Sequence, residues 1–249
     1  MWKLLRKVSR FFFKNVSLVK KYIRYKKEFG LFKATHGERF SIKDNDKFPC
    51  LNDEVSTTSF DKHYTYHTAW AARKLRAVNP TEHVDISSLT YFSTLVSAFI
   101  PVKFYDYRPA QIALENFQCG HADIIGLPFK SNSIQSLSCM HVVEHIGLGR
   151  YGDKLDVDGD LKAIKELKRV VAGNGDLYFV VPIGKAKIMF NAHRIYAYEQ
   201  ILSYFKGFSL KEFTLIPDQS TDGLIVNATK EQSDMQNYGC GCFWFQKEE

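Results

Sequence analysis

The chain predicts an α/β fold, a mostly parallel sheet of seven strands with helices on both faces, preceded by an amphipathic helix. Three observations carry this. From Glu82 onward short β-rich runs alternate with helical stretches, the pattern of strands joined by helical crossovers. At 249 residues, 45% hydrophobic and 24% charged, with no repeat or low-complexity tract, the chain can bury a full core. Polar residues stand where strands should end, at the edge where such sheets bind ligands.

The predicted runs are His83 to Ile86, Val102 to Tyr105, a short piece near Ala122 to Ile124, Ser136 to Met140, Leu177 to Val181, Phe208 to Ile216 and Cys240 to Phe245. Before them, Phe60 to Val78 reads as a helix ended by Pro80. The organisation expected is a basic helix over residues 1–28, a linker over 29–56 and one folded domain over 57–249.

The net charge is +7, and residues 1–27 hold ten Lys or Arg and no acid. The remaining chain carries 24 basic against 27 acidic residues. A slightly acidic body argues against a nucleic-acid partner, which calls for a basic face on the folded domain. In the tail Leu4, Leu5, Val8, Phe11, Phe12, Val16, Leu18, Val19, Tyr22 and Ile23 recur at helical spacing, most of them on the side opposite the cations. Such a helix suits an anionic membrane surface; packing on the protein's own core, or on a partner protein, is the alternative. No run is long and apolar enough for a membrane span, no signal peptide is evident, and five irregularly spaced cysteines suit a reducing compartment. A cytoplasmic protein is expected, peripheral on the inner membrane face.

Asp85, Asp106 and Asp123 mark three successive strand ends, the second 21 residues after the first. An acid about 20 residues past the first turn is where nucleotide-binding α/β domains hold a ribose; capping the next helix is the other use of such a residue. After the fourth predicted strand, HVVEHIGLGRYGD gathers His141, Glu144, His145, Arg150, Tyr151 and Asp153.

The segments ADIIGLPFKSNSIQSLSCMHVVEHI and LKAIKELKRVVAGNGDLYFVVPIG resemble the second half of a class I S-adenosylmethionine-dependent methyltransferase. The strings DKHYTYHTAW, HVDISS, VVEHIGLGRYGD, NAHRIY and YGCGCFWF narrow the likeness to a methyltransferase-like family labelled DUF268, often encoded with bacterial surface-polysaccharide genes, over about residues 57–247. The resemblance implies a Rossmann-like methyltransferase fold with S-adenosylmethionine as cofactor. It implies Asp106 on the ribose, Asp123 at the adenine amino group and Asp85 opening the cofactor turn. Where the family usually places a glycine run, this chain has Asp85, Ile86, Ser87, Ser88, Leu89, Thr90 and Tyr91. The Ser87 and Ser88 hydroxyls are then expected at the methionine carboxylate.

The activity expected is O-methylation of a sugar in a surface glycan or lipid-linked saccharide. The alternative is a non-catalytic Rossmann module that binds a sugar nucleotide or a partner enzyme. Methyl transfer to a hydroxyl needs a base, for which His141 or His145 is the candidate, oriented by Glu144. Arg150, Asp153, His193 and Arg194 are the expected substrate-binding residues, with Gly147, Gly149 and Gly152 loosening a lid; capping and pairing at a helix start is the plainer alternative for the loop.

His141 to His145 also spells HxxEH, an inverted zinc-protease motif, but nearby glycines argue against the helix it requires. The acidic string from Asp156 to Asp160 lacks a calcium loop's spacing. Cys240 and Cys242 are expected in the core, and no metal is expected. His63, Tyr64, His67 and Trp70 form a helical stripe that would face a cofactor or sugar, or simply pack.

Overall fold

The computed structural model describes residues 2–35, 37–87, 89–219 and 223–249, with residues 2–15 as backbone. Residues 1–59 and 60–249 form two compact units. In the first, helix α1 (Trp2–Thr35) runs past its expected end at residue 28. A lone glycine, Gly30, costs a helix only about 1 kcal/mol. The segment after it is more than a linker: Asn52 accepts from Lys21 at 3.3 Å, Glu54 pairs with Arg24, and Asp44 lies 3.3 Å from Lys33. Part of the basic face is thus neutralised from the following segment. Val16, Val19 and Ile23 remain exposed.

The second unit opens with α2 (Lys62–Val78). Asp61 caps its start by accepting from the Tyr64 N–H at 3.0 Å, and Asn79 ends it in the left-handed conformation. There follow β1 (His83–Ile86), α3 (Thr90–Val96), β2 (Val102–Asp106), β3 (Phe117–His121), β4 (Ile134–Met140), α4 (Gly159–Val170) and β5 (Val171–Ile183). A hairpin of β6 (Lys187–Met189) and β7 (His193–Ile195) comes next, then α5 (Tyr198–Tyr204), β8 (Phe208–Ile216), β9 (Ile225–Val226), α6 (Lys230–Asp234) and β10 (Gly239–Lys247).

The main sheet has the order β3-β2-β1-β4-β5-β10-β8-β9. β3 through β5 pair in parallel, while β10 runs antiparallel to both β5 and β8. Six of the seven expected runs fall on strands of this sheet, and the short edge strand β9 and the β6–β7 hairpin lie outside the expected runs. One run was misplaced. The third strand is Phe117–His121, and Asp123 instead closes a turn, accepting from Ile125 N at 3.1 Å.

Alternation along the strands builds a core on each face. On one face Leu177, Phe179, Val181 and Ile183 of β5 meet Phe243 and Phe245 of β10, Ile164 and Leu167 of α4, and Phe205 just after α5. On the other, Tyr178, Val180, Cys240 and Cys242 lie under Trp70, Ala71, Leu75, Phe92 and Val96. Cys240 therefore belongs to a core layer, at the strand end nearest the cavity described next.

Candidate active site

A cavity of about 650 Å³ opens beyond the carboxyl end of β4. Its lining includes Asp61, His63 and Tyr64 from the start of α2, His141, Glu144, His145, Arg150 and Tyr151 from the segment after β4, His193 from the hairpin, and Tyr238 just before β10. Placing it needs a turn at His141. That residue takes φ +56°, a left-handed backbone that only a few residue types tolerate. A single 3-10 turn, Val143–His145, follows.

Glu144 is 1% exposed, and its Oε1 accepts from His141 Nδ1 at 2.7 Å, with His145 Nε2 at 3.8 Å. Its Oε2 has no hydrogen-bond partner. Burial pushes the carboxyl up to about 7 and holds the His141 ring down at about 4. His145 is half-buried; its Nδ1–H donates to the Ala192 carbonyl at 2.6 Å, which leaves Nε2 as the acceptor. Burial also depresses His145 and His193 and lowers His63 to about 4. The five rings His63, Tyr64, His141, His193 and Tyr238 lie against one another at centroid distances of 4.9–5.5 Å.

The expected catalytic residues His141, Glu144 and His145 are thus assembled at one site, with Arg150 and His193 beside them. Two expected substrate ligands stand elsewhere. The Asp153 carboxylate accepts from the N–H groups of Gly147, Tyr151 and Gly149, so it holds the loop in shape. Arg194, 6% exposed, donates to the Ile146 carbonyl at 2.7 Å and lies 3.6 Å from Asp160. Its guanidinium is consumed in bracing the same loop. Gly147 serves close packing rather than looseness, because a Cβ there would sit 2.1 Å from the Asp156 carbonyl oxygen.

Among the described residues, none of those expected at the cofactor lines this cavity. Asp85 is fully buried, and its two oxygens accept from Ser93 and Ser138. Ser138 also meets His83, which bridges to Ser136. Asp85 therefore stitches β1 to β4 and α3, and the place expected for it in an open cofactor turn is corrected accordingly. Ser87 is buried with its Oγ accepting from Leu89 N at 3.2 Å; Ser88 lies outside the described residues. Asp106 and Asp123 are half-buried at neighbouring strand ends. Each uses Oδ1 to accept from a backbone N–H, of Arg108 at 2.6 Å and of Ile125 at 3.1 Å. A carboxylate accepts about four hydrogen bonds, so both suit the hydroxyl and amino donors of a nucleoside.

His141-to-His145 is not the helical zinc motif: the segment is a 3-10 turn and His145 Nδ1 is taken by Ala192. The helical stripe splits, with His63 and Tyr64 at the cavity, His67 buried beneath, and Trp70 in the core donating to Glu212. Tyr238 was missed; its only sequence signal is its place ahead of the Gly-Cys-Gly-Cys run.

Parallel strands followed by a reversed strand inserted beside β5, with the cavity at the carboxyl edge, define the class I S-adenosylmethionine-dependent methyltransferase architecture. The N-methyltransferase NodS of Bradyrhizobium japonicum, solved with S-adenosyl-L-homocysteine, matches with a TM-score of 0.53 at 14% identity, over 81% of this chain and 92% of that one. The YcgJ protein of Bacillus subtilis matches at 0.50 and 11% identity, over 74% of this chain and 99% of that one. Residues 129–238, from the approach to β4 up to β10, match the family described as "Caenorhabditis protein of unknown function, DUF268". The comparison with curated proteins found no match.

Proposed function

We propose that the protein is an S-adenosylmethionine-dependent methyltransferase acting on a sugar hydroxyl of a glycan or lipid-linked saccharide. The observation that carries this is the His145–Glu144 arrangement in a cavity at the carboxyl edge of a methyltransferase-type sheet. With Nδ1–H held by Ala192, His145 presents Nε2 to take the hydroxyl proton, and its depressed basicity keeps the ring neutral and ready near pH 7. The imidazolium so formed faces the Glu144 carboxylate 3.8 Å away, which stabilises the charge. Tyr64, Tyr151 and Tyr238 offer faces for a sugar ring, and the Arg150 guanidinium suits an anionic group on the acceptor.

S-adenosylmethionine, when bound, supplies an electrophilic methyl group. Asp106 would hold its ribose and Asp123 its adenine amino group. The acceptor would meet the enzyme at a cytoplasmic membrane face, through the basic α1 with its exposed Val16, Val19 and Ile23.

A second reading, a non-catalytic module for a sugar nucleotide or a partner enzyme, is favoured by the turn after β1, where Asp85 and Ser87 are engaged internally. Calorimetric titration of the full chain with S-adenosylmethionine and S-adenosylhomocysteine separates the two. One-site saturation is the result expected. No heat at millimolar ligand would replace the methyltransferase with the second reading, and sugar nucleotides become the next titrants.

A further inference from the structure

At the floor of the cavity, residues far apart in sequence bring three metal-binding side chains together. Cys240 Sγ lies 3.4 Å from His141 Nε2 across 99 positions of chain. A ring nitrogen of His63 completes a cluster whose three ligand atoms all lie within 4.8 Å of one another. Zinc bonds of about 2.3 Å to sulfur and 2.0–2.1 Å to imidazole nitrogen, at tetrahedral angles, put the ligand atoms roughly 3.3–3.6 Å apart. The Cys240–His141 pair already stands at that spacing, and His63, half-buried on the first turn of α2, needs only a small side-chain adjustment.

The surroundings are those of metal ligands. The far nitrogen of His141 donates to the buried Glu144 carboxylate, and His63 is hydrogen-bonded by the Tyr238 backbone. The His141 contact fixes that ring's orientation and presents its Nε2 as a lone pair, and the His63 contact holds its ring in place. Independently, Glu144 Oε2 is buried without a partner, a position that an adjacent divalent cation stabilises.

We propose that His63, His141 and Cys240 bind one divalent transition-metal ion, zinc by ligand type, with its fourth coordination position open to the cavity. Two imidazoles and a thiolate suit zinc among the common divalent ions, and three protein ligands with one open position are characteristic of catalytic rather than structural zinc. Binding displaces the Cys240 thiol proton, so one proton leaves to solvent for each ion taken up. The site uses His141 and leaves His145 free. It stands whether or not the domain transfers methyl groups.

The test is titration of the full chain, stripped with a chelator, by cobalt(II), followed by zinc competition. The expected result is one equivalent bound, with a near-ultraviolet thiolate-to-cobalt band, intense visible bands of tetrahedral cobalt, and loss of both on adding zinc. Cys240→Ser removes the thiolate band. His63→Ala weakens binding at least about 100-fold, since loss of a supporting contact alone costs 10–100-fold. Absence of stoichiometric binding overturns the site, as does a spectrum and affinity unchanged in both variants. Should Cys240→Ser lose its far-ultraviolet circular dichroism, His63→Ala alone decides. S-adenosylmethionine titrated into the same preparation reports on methyl transfer separately.

Discussion

His141 and Glu144, three residues apart, are joined inside the protein by a 2.7 Å hydrogen bond from Nδ1 to Oε1. The bond exists because His141 takes a left-handed backbone and a single 3-10 turn brings Glu144 back under the ring. Glu144→Ala leaves a buried ring N–H without an acceptor. Urea unfolding should show a loss of about 1–3 kcal/mol, with Glu144→Gln losing less because its amide oxygen still accepts.

His145 is the residue through which the proton moves. His145→Ala should lower methyl-transfer turnover by about 10²–10⁴-fold while the calorimetric affinity for S-adenosylmethionine stays unchanged. An equal fall in affinity would give His145 a binding role in place of the base.

Asp106 is half-buried and its Oδ1 accepts from the Arg108 N–H of the following turn, so its loss should spare the fold. Asp106→Ala is expected to weaken S-adenosylmethionine binding by roughly 10–100-fold, the worth of hydrogen bonds to a charged acceptor. A large drop in Tm with affinity intact would make it a structural cap on the Arg108 turn.

Asp85 sets a pH dependence of known sign. Burial raises its carboxyl to about 6 against an ordinary 3.8, the two serine donors only partly offsetting it. Between those values the folded chain keeps a proton that the unfolded chain has lost. Wild-type stability therefore falls, relative to Asp85→Asn, as pH rises from about 4 to about 6, by roughly 3 kcal/mol at most. His83, held down at about 3 by burial, gives the opposite slope in both proteins and cancels in the difference. Denaturant curves of both at pH 4, 5, 6 and 7 measure it; parallel curves would refute the raised value.

The α1 cations and apolar residues make a prediction about surfaces. Sedimentation with vesicles containing anionic lipid should carry down the full chain and not a chain lacking residues 1–27, and added salt should weaken binding. Equal sedimentation of both would move any membrane contact to another part of the molecule.

Much of the sheet was legible because its signals are local. The runs beginning at His83 and Phe208 alternate and end as the strands do, and the helix read from Phe60 to Val78, ended by Pro80, starts within two residues of α2 and ends with it. The third strand was misread because Phe117–His121 contains Gln118, Gly120 and His121, which carry little strand preference; parallel pairing with Val102–Asp106 makes it one. At the site, His141, Glu144 and His145 were readable as one short polar string after a strand. The roles of Asp153 and Arg194 were not, because the same residue types bind a substrate or brace a loop depending on which backbone groups lie within 3 Å.

By itself the sequence determined the alternation that makes the sheet, the basic segment, and the chemistry available after β4. Only the tertiary structure decided which of those groups meet. Inserting β10 antiparallel beside β5 carries Cys240 to His141, and packing α2 over that edge adds His63. Side chains a hundred positions apart have no local signal of their meeting, since their distance depends on strand order, and strand order is settled by the burial of two whole faces at once.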